Sequence, residues 1–218
     1  MKLSRFAKLV KQGGILYLCH VKGSGLWLGA RTGFFRADGL PVTVDEATIL
    51  AVLDFDTKTQ EKIVVRELDF DSDREMFGMN LSDDAAPDID AKKITVAAVY
   101  KGTYTTALLC DDGELVFYDE TQLSPLADVF KESDYVRTVV RVTEKGGRYV
   151  VIRDGFETVA GIMPMNILTK DFLGDLQDFE ARCVEQFMRE EARRLRAAEL
   201  AAEETGEQAR MEGVDDED

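Results

Sequence analysis

The stretch LSRFAKLVK at residues 3–11 returns as LSPLADVFK at residues 123–131, and this repetition decides how we interpret the whole chain. Each stretch is followed by segments rich in β-branched and aromatic residues, by a glycine turn and by a proline. A repeated segment indicates a fold built from copies of one unit. The matched positions are Leu3, Ser4, Ala7, Lys11, Arg31, Gly33, Phe34 and Pro41 in the first copy, and Leu123, Ser124, Ala127, Lys131, Arg153, Gly155, Phe156 and Pro164 in the second.

Each copy has the pattern of one helix and three strands. Ser4 and Ser124 are candidate helix caps, and Pro125 suits the first helical position because it needs no N–H there. Apolar strand patterns follow at 15–21 and 136–142, and glycine turns lead into two further strands in each copy. We therefore predict an α+β fold in which a helix–strand–strand–strand unit occurs twice (copy one 1–41, copy two 121–168), with antiparallel sheets and two helices on one face.

The insert between the copies, residues 42–120, has mixed patterns. It predicts a helix over 44–55 and strands over 62–68, 93–100, 105–110 and 114–118, the last two joined by a hairpin at Asp111-Asp112-Gly113. Residues 69–90 form an acidic loop. After residue 168 we predict an amphipathic helix over 169–198 and a disordered acidic tail over 199–218. The apolar positions of that helix are Phe172, Leu176, Phe179, Cys183 and Phe187.

The net charge of −15 is unevenly divided along the chain. It is +6 over residues 1–40, −10 over 41–90, −1 over 91–170 and −10 over 171–218. The acidity therefore belongs to a middle segment and to the tail, whereas the N-terminal unit is basic. An acidic average does not exclude nucleic-acid binding when the charges are segregated in this way.

The remaining composition argues against catalysis and metal binding. His20 is the only histidine, and the three cysteines are far apart with no CxxC pair, so neither a histidine triad nor a zinc site is expected. The acidic run at Asp69, Asp71 and Asp73 has Arg74 where a calcium loop needs glycine. We predict no catalytic residues, no metal and no cofactor. No signal peptide or membrane span is evident, which predicts a cytoplasmic protein that does not bind membranes.

Two stretches resemble a known family. The end of the second copy, YVVIRDGFETVAGIMPMNIL at 149–168, resembles the closing strands of bacterial and phage sliding clamps, the processivity rings of replicative DNA polymerases. The stretch TGFFRADGLP at 32–41 is similar to the strand that closes the first half of a clamp domain. A clamp domain is itself two copies of a unit of helix and strands. The compact, divergent form of the chain favours a phage or prophage origin.

The resemblance implies where binding residues lie. In clamps the helices line a hole and face DNA, which implies a DNA-binding role for Lys2, Arg5, Lys8 and Lys11, set three residues apart along the first helix. The second helix fits less well, because Asp128, Glu132 and Asp134 accompany Lys131. The closing segment of clamps borders a pocket that grips peptides of polymerases and loaders. It implies partner binding by Met163, Pro164 and Met165, although Asn166 replaces the usual arginine and the chain continues beyond it.

We carry two functional hypotheses from the sequence. In the first, the chain is a non-enzymatic, clamp-like protein of DNA replication or its regulation, which binds duplex DNA, a replication polymerase or other DNA-processing proteins. A closed ring would then require association of the chain with itself, because only one domain is present. In the second, it is an acidic inhibitor whose carboxylates, in the 69–90 loop and the tail, mimic DNA phosphates. An enzyme is the least favoured reading.

Overall fold

A computed structural model describes residues 1–21, 25–41, 44–69, 78–83, 87–100 and 102–212. The chain divides into two compact units, Met1–Asn166 and Ile167–Asp218. Each unit is described by itself below.

The first unit is built on one large sheet, and the predicted α+β class is confirmed. Its strand order is β4-β1-β2-β3-β10-β9-β8-β5-β6-β7. All of these neighbours are antiparallel except β1 and β4, which run parallel. The strands are β1 Ile15–Val21, β2 Gly25–Ala30, β3 Gly33–Arg36, β4 Val64–Asp69, β5 Ile89–Tyr100, β6 Thr103–Cys110, β7 Leu115–Asp119, β8 Val136–Val142, β9 Arg148–Asp154 and β10 Glu157–Ile162.

The helical segments are short in the first unit and long in the second. They are α1 Leu3–Gly13, α2 Glu46–Val52, α3 Thr57–Gln60, a 3₁₀ segment Glu120–Leu126, α4 Val129–Glu132 and, in the second unit, α5 Lys170–Glu212. No described helix is both long and apolar enough to cross a membrane.

Two three-strand meanders meet in the middle of the sheet. One is β1-β2-β3, the other is β8-β9-β10, and their third strands pair antiparallel, with Phe34 opposite Gly161 and Phe35 opposite Ala160. The segments that precede the two meanders also touch, because the backbone N–H of Lys2 at the start of α1 donates to the carbonyl of Pro125 at 2.8 Å. Both segments bury leucines in the same core.

The second predicted helix has a different form from the first. Residues 123–131 do not form one α-helix, and Ser124 is not its cap. Instead Asp119 accepts a hydrogen bond from the backbone N–H of Thr121 at 3.0 Å and starts a 3₁₀ segment, in which Pro125 lies inside the turn. The proline has no N–H for continued α-helical hydrogen bonding, so the chain restarts as the short α4.

In their later strands, the two copies align in the structure with an offset that differs by two residues from the offset predicted by the sequence match. The tight turn between β2 and β3 is Arg31-Thr32, and the corresponding turn between β9 and β10 is Gly155-Phe156. Arg31 (φ 52°) and Gly155 (φ 58°) both have the left-handed backbone conformation of the first turn position. Structurally, Arg31 therefore corresponds to Gly155, not to Arg153. This explains why Phe34 is fully buried in β3 while its supposed match Phe156 is 91% exposed.

Alternating residues of the strands build a core on each side of the sheet. On one face, Leu18, Leu28 and Ile152 pack with α1 residues Phe6 and Val10. On the other face, a smaller cluster is completed by two residues of the 78–83 segment, and its members are Cys19, Trp27, Phe34, Leu68, Met79, Leu81, Val139, Tyr149 and Val151. The large sheet is thus covered by helices on one side and by an irregular segment on the other.

The insert follows the predicted pattern with shifted boundaries. Helix α2 starts later than predicted, because Asp45 caps it by accepting from the N–H of Thr48 at 2.8 Å. It ends before Asp54, whose φ of 53° is not helical. The predicted hairpin at 111–113 is confirmed: β6 and β7 pair, and the N–H of Cys110 donates to the carbonyl of Glu114 at 2.9 Å.

The second unit contains α5, which is longer than predicted. Disorder was predicted from residue 199, yet the helix continues to Glu212. The added turns contain Ala201, Ala202 and several glutamates, which are strong helix formers, so low apolar content did not prevent helix formation. Residues 213–218 of the predicted tail lie outside the described residues.

Candidate functional site

Two of the four predicted DNA-binding cations contact the 3₁₀ segment and the residue that precedes α4. The Lys2 ammonium lies 3.5 Å from Asp128 Oδ2, and an Arg5 guanidinium nitrogen donates to the carbonyl of Ser124 at 3.3 Å. These contacts join α1 to the segments that precede β8. The positive charges of Lys2 and Arg5 are therefore partly offset by acceptors within the first unit.

The other two cations, Lys8 and Lys11, are exposed. The Lys11 ammonium lies 5.3 Å from the centre of the Phe55 ring, a cation–π distance. A three-residue spacing falls behind the 3.6-residue helical turn by about 60° at each step. Lys2 and Lys11 consequently lie on opposite sides of α1, and the four cations do not form a single row. Lys8 and Lys11 are the pair best placed to meet a phosphate backbone.

Helix α3 places a carboxylate near the end of this surface. Asp56 caps α3 by accepting from the N–H of Thr59 at 2.7 Å. The pKa of Asp56 is lowered mainly by a hydrogen bond from the Thr59 side chain and next by this backbone one, and the charges of Lys11 and Lys62 lower it further. Lys11 therefore has an ionised neighbour, which leaves Lys8 as the cation of α1 with the least opposing charge described around it.

A cleft of about 650 Å³ opens between β5, β7, α4 and β8. It exists because β5 pairs with β8 at only two positions, Ile89 with Val140 and Asp90 with Val139, before the two strands separate. The first residues of β8 therefore have no partner strand on that side among the described residues. The cleft is lined by Ala91, Lys93, Leu108, Tyr118, Glu120, Leu123, Ser124, Ala127, Phe130, Lys131 and Thr138.

The cleft is largely apolar, with an ion pair at its edge. Lys93 Nζ donates to Glu120 Oε1 at 2.6 Å, and the Thr106 hydroxyl donates to Glu120 Oε2 at 2.7 Å. The Lys93 hydrogen bond is the main cause of the lowered pKa of Glu120. Phe130 is 41% exposed beside this pair. An unpaired strand edge beside an apolar cleft is a geometry that can bind an extended peptide.

The predicted partner-binding segment, Met163-Pro164-Met165, is held to the sheet by its backbone. The N–H of Met163 donates to Thr32 at 2.7 Å, and the N–H of Met165 donates to Phe117 at 2.6 Å. All three residues are half-buried, and Met163 packs against the Trp27 cluster. None of the three lines the cleft. The structure thus separates the segment from the cleft rather than bringing them together.

The sequence prediction missed a buried ionic cluster around Asp88. Arg141 donates to Asp88 Oδ1 at 2.7 Å, and Arg153 donates to Oδ2 at 2.9 Å. The Arg141 side chain is 1% exposed and that of Asp88 is 11% exposed. Burial is the largest influence on the pKa of Asp88 and raises it, yet the two arginines together outweigh burial, so the pKa is lowered.

The same arginines hold the 78–83 segment onto the sheet. Arg141 also donates to the carbonyls of Asn80 (2.8 Å) and Ser82 (3.1 Å). The Tyr149 hydroxyl accepts from the N–H of Asn80 at 2.8 Å and donates to its carbonyl. Asp83 Oδ1 accepts from the N–H of Thr158 at 2.6 Å. These groups satisfy an irregular backbone that covers Trp27 and Phe34.

This cluster changes the interpretation of the acidic loop. Asp83 and Asp88, two of the carboxylates that the acidic-inhibitor hypothesis assigns to a partner, instead pair with strand cations. Asp71, Asp73, Glu75 and Asp84 lie outside the described residues. The available signal was the arginines themselves, since Arg141 and Arg153 interrupt β-branched runs at interior strand positions. No group of three or more metal-ligating side chains is present in the described part of the chain.

The chain matches no protein-family model, no curated protein and no solved structure.

Proposed function

We propose that this chain is a non-enzymatic, clamp-like protein of DNA replication or its regulation, and that it acts by tethering to duplex DNA or to replication proteins. The observation that carries the proposal is the antiparallel pairing of β3 with β10. It joins two halves that each consist of a helical segment followed by three antiparallel strands. A clamp domain is likewise built from two copies of one unit of helix and strands, and this likeness supports the proposal.

The position of the helical segments supports the same proposal. Leu9 of α1 and Leu126 of the 3₁₀ segment belong to one core, so both segments cover the same face of the sheet. They contact each other through Lys2 and Asp128. A duplicated domain that presents its two helical segments side by side offers one continuous surface to a ligand. The cations on it that are free to meet phosphates are Lys8 and, at its edge, Lys11.

Contacts of exposed lysines with phosphates hold a protein on DNA without reading its sequence, and they weaken steeply with salt. Tethering to DNA needs no contacts that recognise the base sequence. The second route is protein binding, for which the chain offers the Met163–Met165 segment and the apolar cleft beside β8. Either route involves no covalent chemistry.

The acidic-inhibitor hypothesis is the second candidate, and the net charge of −15 favours it. Its support is narrower than the sequence alone suggested, because Asp83 and Asp88 pair with arginines of the same unit. The carboxylates that this hypothesis assigns to the tail belong in part to the last turns of α5, from Glu199 to Glu212.

The test is a fluorescence-anisotropy titration of a labelled DNA duplex at several salt concentrations. Lys8 and Lys11 are replaced together by glutamate, which leaves the Lys2 and Arg5 contacts intact. The control replaces two exposed lysines elsewhere, Lys92 and Lys145, and so has the same net charge. We expect the wild type to bind at low salt and the control to bind similarly. We expect K8E/K11E to bind much more weakly, with a slope of log affinity against log salt concentration that is smaller by about 0.9 for each lost phosphate contact.

Three outcomes decide the matter. Equal loss in K8E/K11E and in the control would mean that only net charge matters, and it would contradict a DNA-facing helix. Absence of wild-type binding at low salt would remove the DNA route and favour the acidic inhibitor. Selective loss in K8E/K11E supports the proposal.

A further inference from the structure

We propose that helix α5 pairs with α5 of a second copy of this chain, in an antiparallel arrangement centred on Cys183. The inference goes beyond the proposed function, because it assigns a self-association surface to the second unit. It rests on an exposed apolar stripe and on a charge pattern that fits one orientation of two identical helices.

The apolar stripe lies on one side of α5. Leu176, Phe179, Cys183 and Phe187 follow one another at spacings of three and four residues, which places them within about 80° of the helix circumference. Leu176 is 50% exposed, Phe179 is 65% exposed and Phe187 is 61% exposed. Burial of such side chains contributes about 25 cal/mol for each Å² removed from water. The stripe is therefore a surface that gains free energy when another apolar surface covers it.

The charges of α5 form two matching triplets. Asp171, Asp175 and Asp178 have the spacing four then three, and Arg189, Arg193 and Arg196 have the same spacing. The triplets are offset by 18 residues, which is five full helical turns, so both lie along the same side of the helix. Asp175 and Arg193 are the members nearest the apolar stripe.

The two triplets determine which orientation of a second helix is favoured. When two identical helices pair antiparallel around a two-fold axis, the same side of each helix faces its copy. Centred near Cys183, this pairing sets Asp175 against Arg193 of the second copy. Asp171, Asp178, Arg189 and Arg196 lie about 40–60° further around the helix, so they do not pair directly, but they make the two ends of each helix opposite in charge. In a parallel pair in register, the two acidic ends would lie together and the two basic ends would lie together, which is unfavourable.

The apolar residues agree with the same register to within one residue. Phe179 faces Phe187 of the second copy, and Cys183 faces its own counterpart at the axis. On the other border of the stripe, Leu173 faces Leu195, both of which are exposed. Towards the ends of the overlap, the stripe positions opposite Leu176 and Phe172 are Glu190 and Arg194, whose long side chains cover the apolar ends with their methylene groups.

The position of the arginine triplet is not explained by the helix alone. Cations stabilise a helix when they lie in its last turn, near the negative end of the macrodipole. Arg196 lies well before Glu212, where α5 ends. Arg189 also pairs with Glu185 within the helix, which is an exposed pair of small energetic value. In the antiparallel pair, Asp175 of a second copy gives Arg193 a partner, and the acidic end of that copy offsets the charges of Arg189 and Arg196.

The charge of α5 also disfavours a lipid surface as the occupant. Helices that lie in a membrane interface carry mainly Lys and Arg on their polar side. Over Lys170–Glu212 there are seven Lys and Arg residues and twelve Asp and Glu residues. An anionic membrane would therefore repel this helix.

The first experiment measures orientation by cross-linking of the full chain. In a Cys183→Ser background, Leu173→Cys and Leu195→Cys are made as separate variants, mixed, and treated with a short bismaleimide. The native Cys19 and Cys110 are buried and serve as unreactive positions. In the antiparallel pair, residue 173 lies beside residue 195 of the second copy and about 30 Å from residue 173 of that copy.

We expect a cross-linked dimer in the mixture and little in either variant alone, together with a light-scattering mass of twice the 24.4 kDa chain. Cross-linking of each variant to itself would indicate a parallel pair and overturn the proposal. A monomer mass at tens of micromolar, with no cross-link, would overturn it as well.

The second experiment tests the charge pattern and is independent of the cysteines. R189E/R193E/R196E makes both triplets acidic, and D171K/D175K/D178K makes both basic. We expect each variant alone to lose the dimer while its helix content, measured by circular dichroism, is retained, and we expect a mixture of the two to recover it. The control K58E/K92E/K145E has the same charge change as R189E/R193E/R196E, on exposed residues of the first unit, and should remain dimeric. Failure of the mixture to recover the dimer, with both helices intact, would contradict the pairing.

Discussion

Arg141 donates its Nε hydrogen to Asp88 Oδ1 at 2.7 Å, from a strand position where only 1% of the arginine side chain is exposed. A cation so buried needs a full set of partners, because leaving it unpaired costs several kcal/mol. Its Nη1 group donates to the carbonyls of Asn80 and Ser82 in the 78–83 segment, and its Nη2 group donates to the Thr158 hydroxyl. The relationship therefore does more than neutralise a charge, since it fixes the segment that covers one face of the sheet.

Replacing Asp88 by asparagine is expected to destabilise the first unit by about 3–5 kcal/mol, because Arg141 and Arg153 stay buried without an anion. The measurement is the free energy of unfolding from urea titration at pH 7. The matched control is Asp112→Asn, which breaks the exposed 2.7 Å pair of Asp112 with Arg148. That change should cost far less, because exposed ion pairs contribute little to stability. Equal costs for the two substitutions would show that Asp88 is not a buried anchor.

The contribution of Asp88 to stability should depend on pH in one direction. Its pKa is lower in the folded chain than in the unfolded chain, so the unfolded state binds the proton more readily. The stabilisation is complete above the unfolded value of about 4 and is lost as the pH falls through the folded value. The difference in unfolding free energy between wild type and Asp88→Asn should therefore be constant from pH 7 to about pH 5 and shrink below about pH 4. A difference that grew at acid pH would contradict the lowered pKa.

The same covering segment makes a steric prediction at Gly161 in β10. A Cβ at this position would collide with a methyl group of Leu81. Gly161→Ala should cost about 1–3 kcal/mol through overpacking, and Leu81→Ala about 2–5 kcal/mol through the cavity that it leaves. The double variant should cost less than the two single costs added together, by more than about 0.5 kcal/mol. Strict additivity would mean that the two residues do not touch. The control, Gly174→Ala, adds a methyl group where nothing lies within 4 Å and should not destabilise.

The strands were predictable from sequence because enrichment in β-branched and aromatic residues is a local property of strands, as in β8 and β9. Most of their bounds agree with the prediction to within a few residues, although the start of β5 lies earlier. The stripe of α5 was predictable for a similar reason, since Phe179, Cys183 and Phe187 follow a helical period. What could not be predicted depends on contacts distant in sequence. The partners of Asp88 are more than fifty positions away, so its surroundings looked like a solvated acidic loop.

The second helix and the repeat alignment show a different limit. Identity between 3–11 and 123–131 was real in the sequence, yet Asp119 and Pro125 changed the local hydrogen bonding and produced a 3₁₀ segment. At the hairpins, Arg31 and Arg153 match in sequence but occupy different structural positions. Arg31 is the first turn residue and has a left-handed backbone, whereas Arg153 lies within β9 and the left-handed residue of its hairpin is Gly155. For the candidate site, the sequence prediction identified the cations of α1, but it did not identify how far apart they lie around the helix.

The three cysteines should differ sharply in reactivity, and this difference also reports on α5. Burial raises the pKa of Cys19 far above its ordinary value and raises that of Cys110, whereas Cys183 is exposed. A thiol-reactive dye at pH 8 should therefore label one fast thiol in the native chain and three in denaturant, and Cys183→Ser should remove the fast one. Because Cys183 lies at the centre of the proposed pair, its labelling rate should fall as the protein concentration rises. R189E/R193E/R196E should abolish that concentration dependence, since its monomer leaves the thiol open at every concentration. A rate that is independent of concentration in the wild type would place Cys183 outside any interface.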